Sequence, residues 1–153
     1  VLELDNVIID QTALDIQSIT VAGGWLGVSG CVLAAGGAFE LTGGTLEAHH
    51  SVIRNQALSD GGANMALYIQ HGTLKLTHTL VENTSPAGYG AYIDGSVTSL
   101  KAFQCTFRKA TATNAIDVSG TTTRDFILAC CSGNGPLSAY LGGYHDYVYD
   151  PSI

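Results

Sequence analysis

The feature that most limits what this chain can fold into is an internal repeat. Six nine-residue segments align column for column: LELDNVIID from Leu2, LGVSGCVLA from Leu26, LEAHHSVIR from Leu46, LKLTHTLVE from Leu74, LKAFQCTFR from Leu100 and FILACCSGN from Phe126. Their starts lie 20 to 28 residues apart. A shorter segment recurs in step with them: ALDI (13–16), AFEL (38–41), ALYI (66–69), GAYI (90–93), AIDV (115–118) and SAYL (138–141). In both segments the hydrophobic period is two, the period of a strand with one buried face, which excludes a helical repeat.

The columns assign inward and outward positions. Columns one and three of the longer segment are apolar, from Leu2/Leu4 to Phe126/Leu128. Column six holds only small residues, namely Val7, Cys31, Ser51, Thr79, Cys105 and Cys131. Column eight runs Ile9, Leu33, Ile53, Val81, Phe107 and Gly133. The shorter segment offers inward pairs such as Leu14/Ile16, Phe39/Leu41 and Leu67/Ile69. Between segments, clusters of Gly, Asn, Asp and Ser mark turns. A unit of this length cannot bury its own apolar face, but stacked units can, at about 4.8 Å per coil. The expected fold is therefore all-β: a right-handed parallel β-helix, or solenoid, of about six coils of roughly 25 residues. It forms one domain over 1–153 without a capping helix. A leucine-rich repeat overlaps in period, yet its Leu/Asn signature is matched only around Leu2–Asn6.

The run GGANMALYIQHGTLKLTHTLVENTSPAGYGAYIDGSVTSLKAFQCTF (61–107) resembles the right-handed β-helix repeats of the pectin-lyase-like superfamily. Its texture is nearest to phage tailspikes and to the β-helix repeats of bacterial and algal surface proteins. The resemblance covers nearly the whole chain and implies the fold. It does not imply one chemistry, because that superfamily hosts lyases, hydrolases, adhesins and inert stalks.

Composition narrows the classes of function. The chain is 46% hydrophobic and only 12% charged, with 19 Gly against 3 Pro. Its longest uncharged run, Ile16 to Phe39, is broken by six glycines and by Gln17, Ser18, Thr20 and Ser29, so no membrane span is expected. The net charge of −7, with six basic residues placed singly or in one pair, argues against a nucleic-acid partner. The chain opens inside a strand pattern at Val1, as a processed product or a building block of a longer fibre would.

Outward columns are where such a fold carries function. One of them holds Asp15, Glu40, Tyr68, Tyr92, Asp117 and Tyr140. Asp15 and Glu40 are expected on adjacent coils, near the separation of about 5–5.5 Å used by retaining glycosidases. They are the catalytic candidates if the chain is a glycoside hydrolase or polysaccharide lyase; otherwise they are two solvated carboxylates. A lyase would also need an acidic cluster beside basic residues, and Arg54, Arg108 and Arg124 show no acidic grouping next to them in the ladder. Tyr68, Tyr92 and Tyr140 either stack sugar rings or pack against another subunit. Trp25, Gly27 and Gly30 mark a bare coil-two surface suited to lateral contact.

Other motifs point away from chemistry. His50 and His78 share column five on adjacent coils, but no third ligand is evident, so neither a metal nor another cofactor is expected. No GxSxG element or phosphate-binding glycine loop occurs. Asn83-Thr84-Ser85 is a formal glycosylation sequon in a predicted turn, followed by Pro86. Cys131 falls in the inward column six and Cys130 in the outward column five, so a bond between them would be strained. The expected protein is a non-catalytic structural or adhesive module of an extracellular, virion or cell-surface fibre, filament or spike. Its partners are further copies of itself and, in the alternative of a tailspike-like carbohydrate-active module, a surface polysaccharide.

Overall fold

The computed structural model describes residues 1–11, 19–36, 38–56, 65–84, 89–93, 99–109, 115–118, 126–134 and 145–150. The first coil holds β1 (Leu2–Asp5), β2 (Ile8–Gln11) and β3 (Ile19–Val21). The second holds β4 (Trp25–Ser29), β5 (Val32–Ala35) and β6 (Phe39–Leu41). The third holds β7 (Thr45–His49), β8 (Val52–Asn55) and β9 (Met65–Ile69). The fourth holds β10 (Thr73–Thr77), β11 (Leu80–Asn83) and β12 (Tyr89–Ile93). The fifth holds β13 (Ser99–Phe103), β14 (Thr106–Arg108) and β15 (Ile116–Val118). Last come β16 (Phe126–Gly133) and β17 (His145–Asp150), which pair with each other. Among the described residues there is no helix, and so none long and apolar enough to cross a membrane.

All pairings are parallel and form three ladders. The first runs β1-β4-β7-β10-β13-β16, the second β2-β5-β8-β11-β14-β16 and the third β3-β6-β9-β12-β15. The molecule is a parallel β-solenoid. Leu2, Leu26, Leu46, Leu74, Leu100 and Phe126 are successive partners in the first ladder. Ile9, Leu33, Ile53, Val81, Phe107 and Gly133 are successive partners in the second. The column alignment of the longer segment is thus the pairing register itself. Among the described residues the third ladder ends at β15, so these residues close fewer than six three-stranded coils, and SAYL (138–141) lies outside them.

One expectation about register is corrected. The partner of Phe39–Leu41 in the first coil is Ile19–Val21, with Thr20 opposite Glu40, and not ALDI at 13–16. ITVAGG, FELTGG and LYIQHG place their inward pairs at the same distance before the turn into the first ladder. The turn sets the position because its glycines stack. Gly44 has φ +78°, and a Cβ there would lie 2.4 Å from the Gly24 carbonyl oxygen; Gly72 stands in the same relation to Gly44. Only glycine fits such a corner.

The corner between the first and second ladders turns on a left-handed residue. Asn6, Gly30, His50, His78, Gln104 and Cys130 all have left-handed backbone, with φ between 49° and 61°. Column five is therefore the bend itself. Left-handed backbone costs a non-glycine residue about 1–2 kcal/mol, and hydrogen bonds to the neighbouring coil offset it. His50 N–H donates to the Thr77 carbonyl (2.9 Å) and His78 N–H to the Phe103 carbonyl (3.0 Å). Inside, Leu46, Leu74, Leu76, Ile53, Val81, Phe39, Ile69 and Phe107 are buried in one continuous core. Each fully buried side chain of this size contributes roughly 1.5–3 kcal/mol.

Candidate functional site

Just after the bend, column six explains the cysteines. Ser51 Oγ donates to the His49 carbonyl (2.7 Å) and Thr79 Oγ1 to the Thr77 carbonyl (3.0 Å). Cys31, Cys105 and Cys131 direct their thiols to the carbonyls of Ser29 (3.3 Å), Phe103 (3.3 Å) and Ala129 (3.5 Å). Every one of these bonds spans two residues and crosses the left-handed position. The same side chains also accept from the coil before: Cys31 N–H points to Ser51 Oγ (3.2 Å) and Val7 N–H to Cys31 Sγ (3.5 Å). A small donor–acceptor is what a bend inside a dry core needs. Hydrogen bonding with Cys131 first, and burial second, push the Cys105 thiol up. Cys130 is exposed while Cys131 is buried, and all four cysteines are free.

The outer side of the same corner carries the histidines. The His50 and His78 rings stack at 4.7 Å with 5° between planes, and Phe103 meets His78 edge-on at 6.2 Å. Parallel stacked rings present faces to one another, whereas a shared zinc ion needs ring nitrogens converging at about 2 Å. Among the described residues no three His, Cys, Asp or Glu gather around a common point.

The third ladder's outward column contains Thr20, Glu40, Tyr68, Tyr92 and Asp117 in register. Asp15 and Tyr140 lie outside the described residues, and the neighbour of Glu40 on the first coil is Thr20, so the expected carboxylate pair is not in the register. Glu40 and Asp117 stand three coils apart, about 14 Å at the usual strand spacing, too far to act on one bond. Between them the tyrosines cluster: Tyr68 and Tyr92 ring centroids are 5.6 Å apart, and Tyr89 joins Tyr92 at 5.9 Å. The Asp117 carboxylate, and then burial, push the Tyr89 hydroxyl above its ordinary range. Tyr89 was not singled out by the sequence reading; the signal was its place next to Gly90 at the head of GAYI.

The first ladder's outward face differs from expectation at coil two. The far end of the Trp25 indole lies over Gly27, where a Cβ would sit 2.3 Å from it, so Gly27 is covered rather than bare. Gly30 supplies the left-handed bend, and a Cβ there would meet Asn6 Oδ1 at 2.5 Å. Both glycines answer contacts within the chain. A hydrogen bond from Lys75 holds the Glu47 carboxyl below its ordinary range; partial burial opposes this, and the Trp25 indole N–H adds to it. Glu3, Asp5, Trp25, Glu47 and His49 line a groove of about 430 Å³ on this face. Further along, Lys101, Phe103 and Ile127 line a second one of about 270 Å³.

Two polar groups of the second ladder also depart from expectation. Glu82 lies between two arginines, 2.9 Å from Arg54 Nε and 3.6 Å from Arg108 Nη1, so these arginines do have one acid beside them in column nine. Asn83 ends β11 rather than sitting in a turn. It is 2% exposed and paired in register with buried Asn55, which leaves its amide inaccessible to glycosylation. Comparison with protein-family models, with curated proteins and with solved structures gives no match to this chain.

Proposed function

We propose that the chain is a non-catalytic structural or adhesive β-helix module that self-assembles in an extracellular fibre, filament or virion or cell-surface spike. The observation that carries this reading is where the reactive side chains are spent. Column-six side chains reach the coil before, Cys31 Sγ to the Leu4 carbonyl and Thr79 Oγ1 to the Ala48 carbonyl, His50 stacks on His78, and Arg54 and Arg108 converge on Glu82. Chemistry-bearing groups thus hold coil to coil, which favours rigidity over turnover. The resemblance of 61–107 to right-handed pectin-lyase-like repeats of tailspikes and surface proteins supports the same reading and its surface location. Sedimentation velocity from micromolar concentrations upward tests it: concentration-dependent oligomers are expected, and a monomer throughout overturns it.

A second reading rests on the tyrosine cluster. Tyr68, Tyr89 and Tyr92 with flanking Glu40 and Asp117 make an aromatic strip with hydrogen-bonding ends, the chemistry that holds a sugar chain. On this reading the module binds or hydrolyses polysaccharide along the third ladder. Binding to a polysaccharide panel that Tyr92→Ala abolishes would establish it, and release of reducing ends from that panel would make it an enzyme.

A further inference from the structure

We propose that the outward face of the first ladder is a self-docking surface on which two copies of this chain lie antiparallel. This rests on the reading of the chain as a self-assembling module and specifies the surface. Column two of this face runs Glu3, Gly27, Glu47, Lys75, Lys101 and Ile127 from coil to coil. Its charges are separated along the axis. Glu3 and Asp5 are exposed on the first coil, and Lys101 is exposed on the fifth; none of the three belongs to an ion pair among the described residues. Between them Glu47 is already matched by Lys75. Four coil steps put Glu3 about 19 Å from Lys101. That is beyond the Debye length of about 10 Å at 0.1 M salt, so the two charges cannot neutralise each other within one molecule.

Symmetry then selects the arrangement. Two copies docked face to face are related by a twofold axis lying in the interface. If the axis runs along the solenoid, like ends meet, Glu3 on Glu3 and Lys101 on Lys101. If it runs along the strands, the solenoids oppose while strand direction is kept, so column two faces column two. Centred on the third coil, this sets the first coil against the partner's fifth, and Glu3 meets the partner's Lys101. The second coil meets the fourth, and Lys75 comes over the Trp25 indole at the position where Gly27 leaves no side chain, a cation–π contact. Phe103, 46% exposed in column four of the fifth coil, then faces column four of the partner's first coil, where Asp5 lines the same groove as Trp25. Each of these contacts occurs twice, while on the axis itself Glu47 faces the partner's Glu47, each carboxylate already matched by its own Lys75. The face is one short strand wide, which places the contact at the weak end of protein interfaces.

Charge reversal tests this directly, because Glu3 and Lys101 are exposed and make no contact the fold needs; equal melting curves check that the variants remain folded. Sedimentation equilibrium is measured at low salt over about 10 µM to 1 mM, the range a weak interface requires. Wild type is expected to dimerise, and Glu3→Lys or Lys101→Glu alone to weaken dimerisation roughly tenfold. An equimolar mixture of the two single variants, and the double variant, are expected to recover it, since each pairing is again Lys against Glu. A wild-type monomer across the range overturns both this proposal and the self-assembly reading. Oligomers that the single variants leave unchanged overturn this face alone. Single variants that weaken association without recovery in the mixture overturn the antiparallel register.

Discussion

The corner between the first and second ladders and the connection between the second and third solve the same problem, turning a chain, in opposite ways. The first is two residues long on each of the first five coils, at 6–7, 30–31, 50–51, 78–79 and 104–105, and in the sixth segment the bend at Cys130 falls inside β16. The second varies from three residues (36–38) to nine (56–64). At the short corner nearly every polar group is matched. The left-handed residue's N–H reaches the next coil, and the column-six side chain bonds the carbonyl two residues back. An extra residue there would unpair several buried groups at once. At the long connection closure entropy grows only slowly with length, so insertions are tolerated. The unequal repeat length of this chain comes largely from that second connection.

Insertion breaks this comparison most severely. One glycine added after His78 shifts Val81 from the core to the surface and leaves the bend unmatched. We expect a loss of about 4 kcal/mol or more by urea denaturation. One glycine added between Gly61 and Gly62 should cost about 0.5 kcal/mol or less. Equal losses at the two sites would end the distinction between fixed and variable corners.

Next in size is the loss of a single column-six donor. Thr79→Val keeps the shape but removes the hydroxyl that serves the carbonyls of Thr77 and Ala48. Leaving a buried carbonyl unmatched should destabilise the fold by about 1–3 kcal/mol, and Thr79→Ser by less, in the same assay. A neutral Thr79→Val would mean that the left-handed residue alone holds the corner.

The smallest effect is expected on the outer face, at Glu47. Its carboxyl titrates below the unfolded value of 4.5 because Lys75 donates to it. The stabilisation is therefore fully present above about pH 4.5 and is lost as the pH falls through the lowered folded value. Wild type and Glu47→Gln should differ in melting temperature at pH 6 and converge near pH 3, by a margin typical of a solvent-exposed pair. A gap that persists at pH 3 would assign Glu47 a role independent of its charge.

The longer segment was legible because parallel stacking places like on like, so the sequence alignment of Leu2, Leu26 and Leu46 is also the strand register. The third ladder was harder to read for the reason the comparison gives. Its connection varies in length, and ALDI matched by texture, while the true partner, ITV, is found only by counting back from Gly23–Gly24. Column five looked merely polar, since Asn, Gly, His, Gln and Cys share no chemistry; what they share is a backbone angle. Glu82 stood in column nine between Arg54 and Arg108 in the alignment itself, and its pairing follows from stacking that column as the others were stacked.

By itself the sequence determined the parallel solenoid, the inward columns and the split of Cys130 from Cys131 between surface and core. These depend on a period of two and on a repeat, both of which are local and recur six times. Only the tertiary structure decided which side chain covers which neighbour: Trp25 over Gly27, the thiols on the carbonyls of the bend, and Thr20 rather than Asp15 beside Glu40. Such choices depend on rotamers and on loop lengths, and no periodicity encodes either.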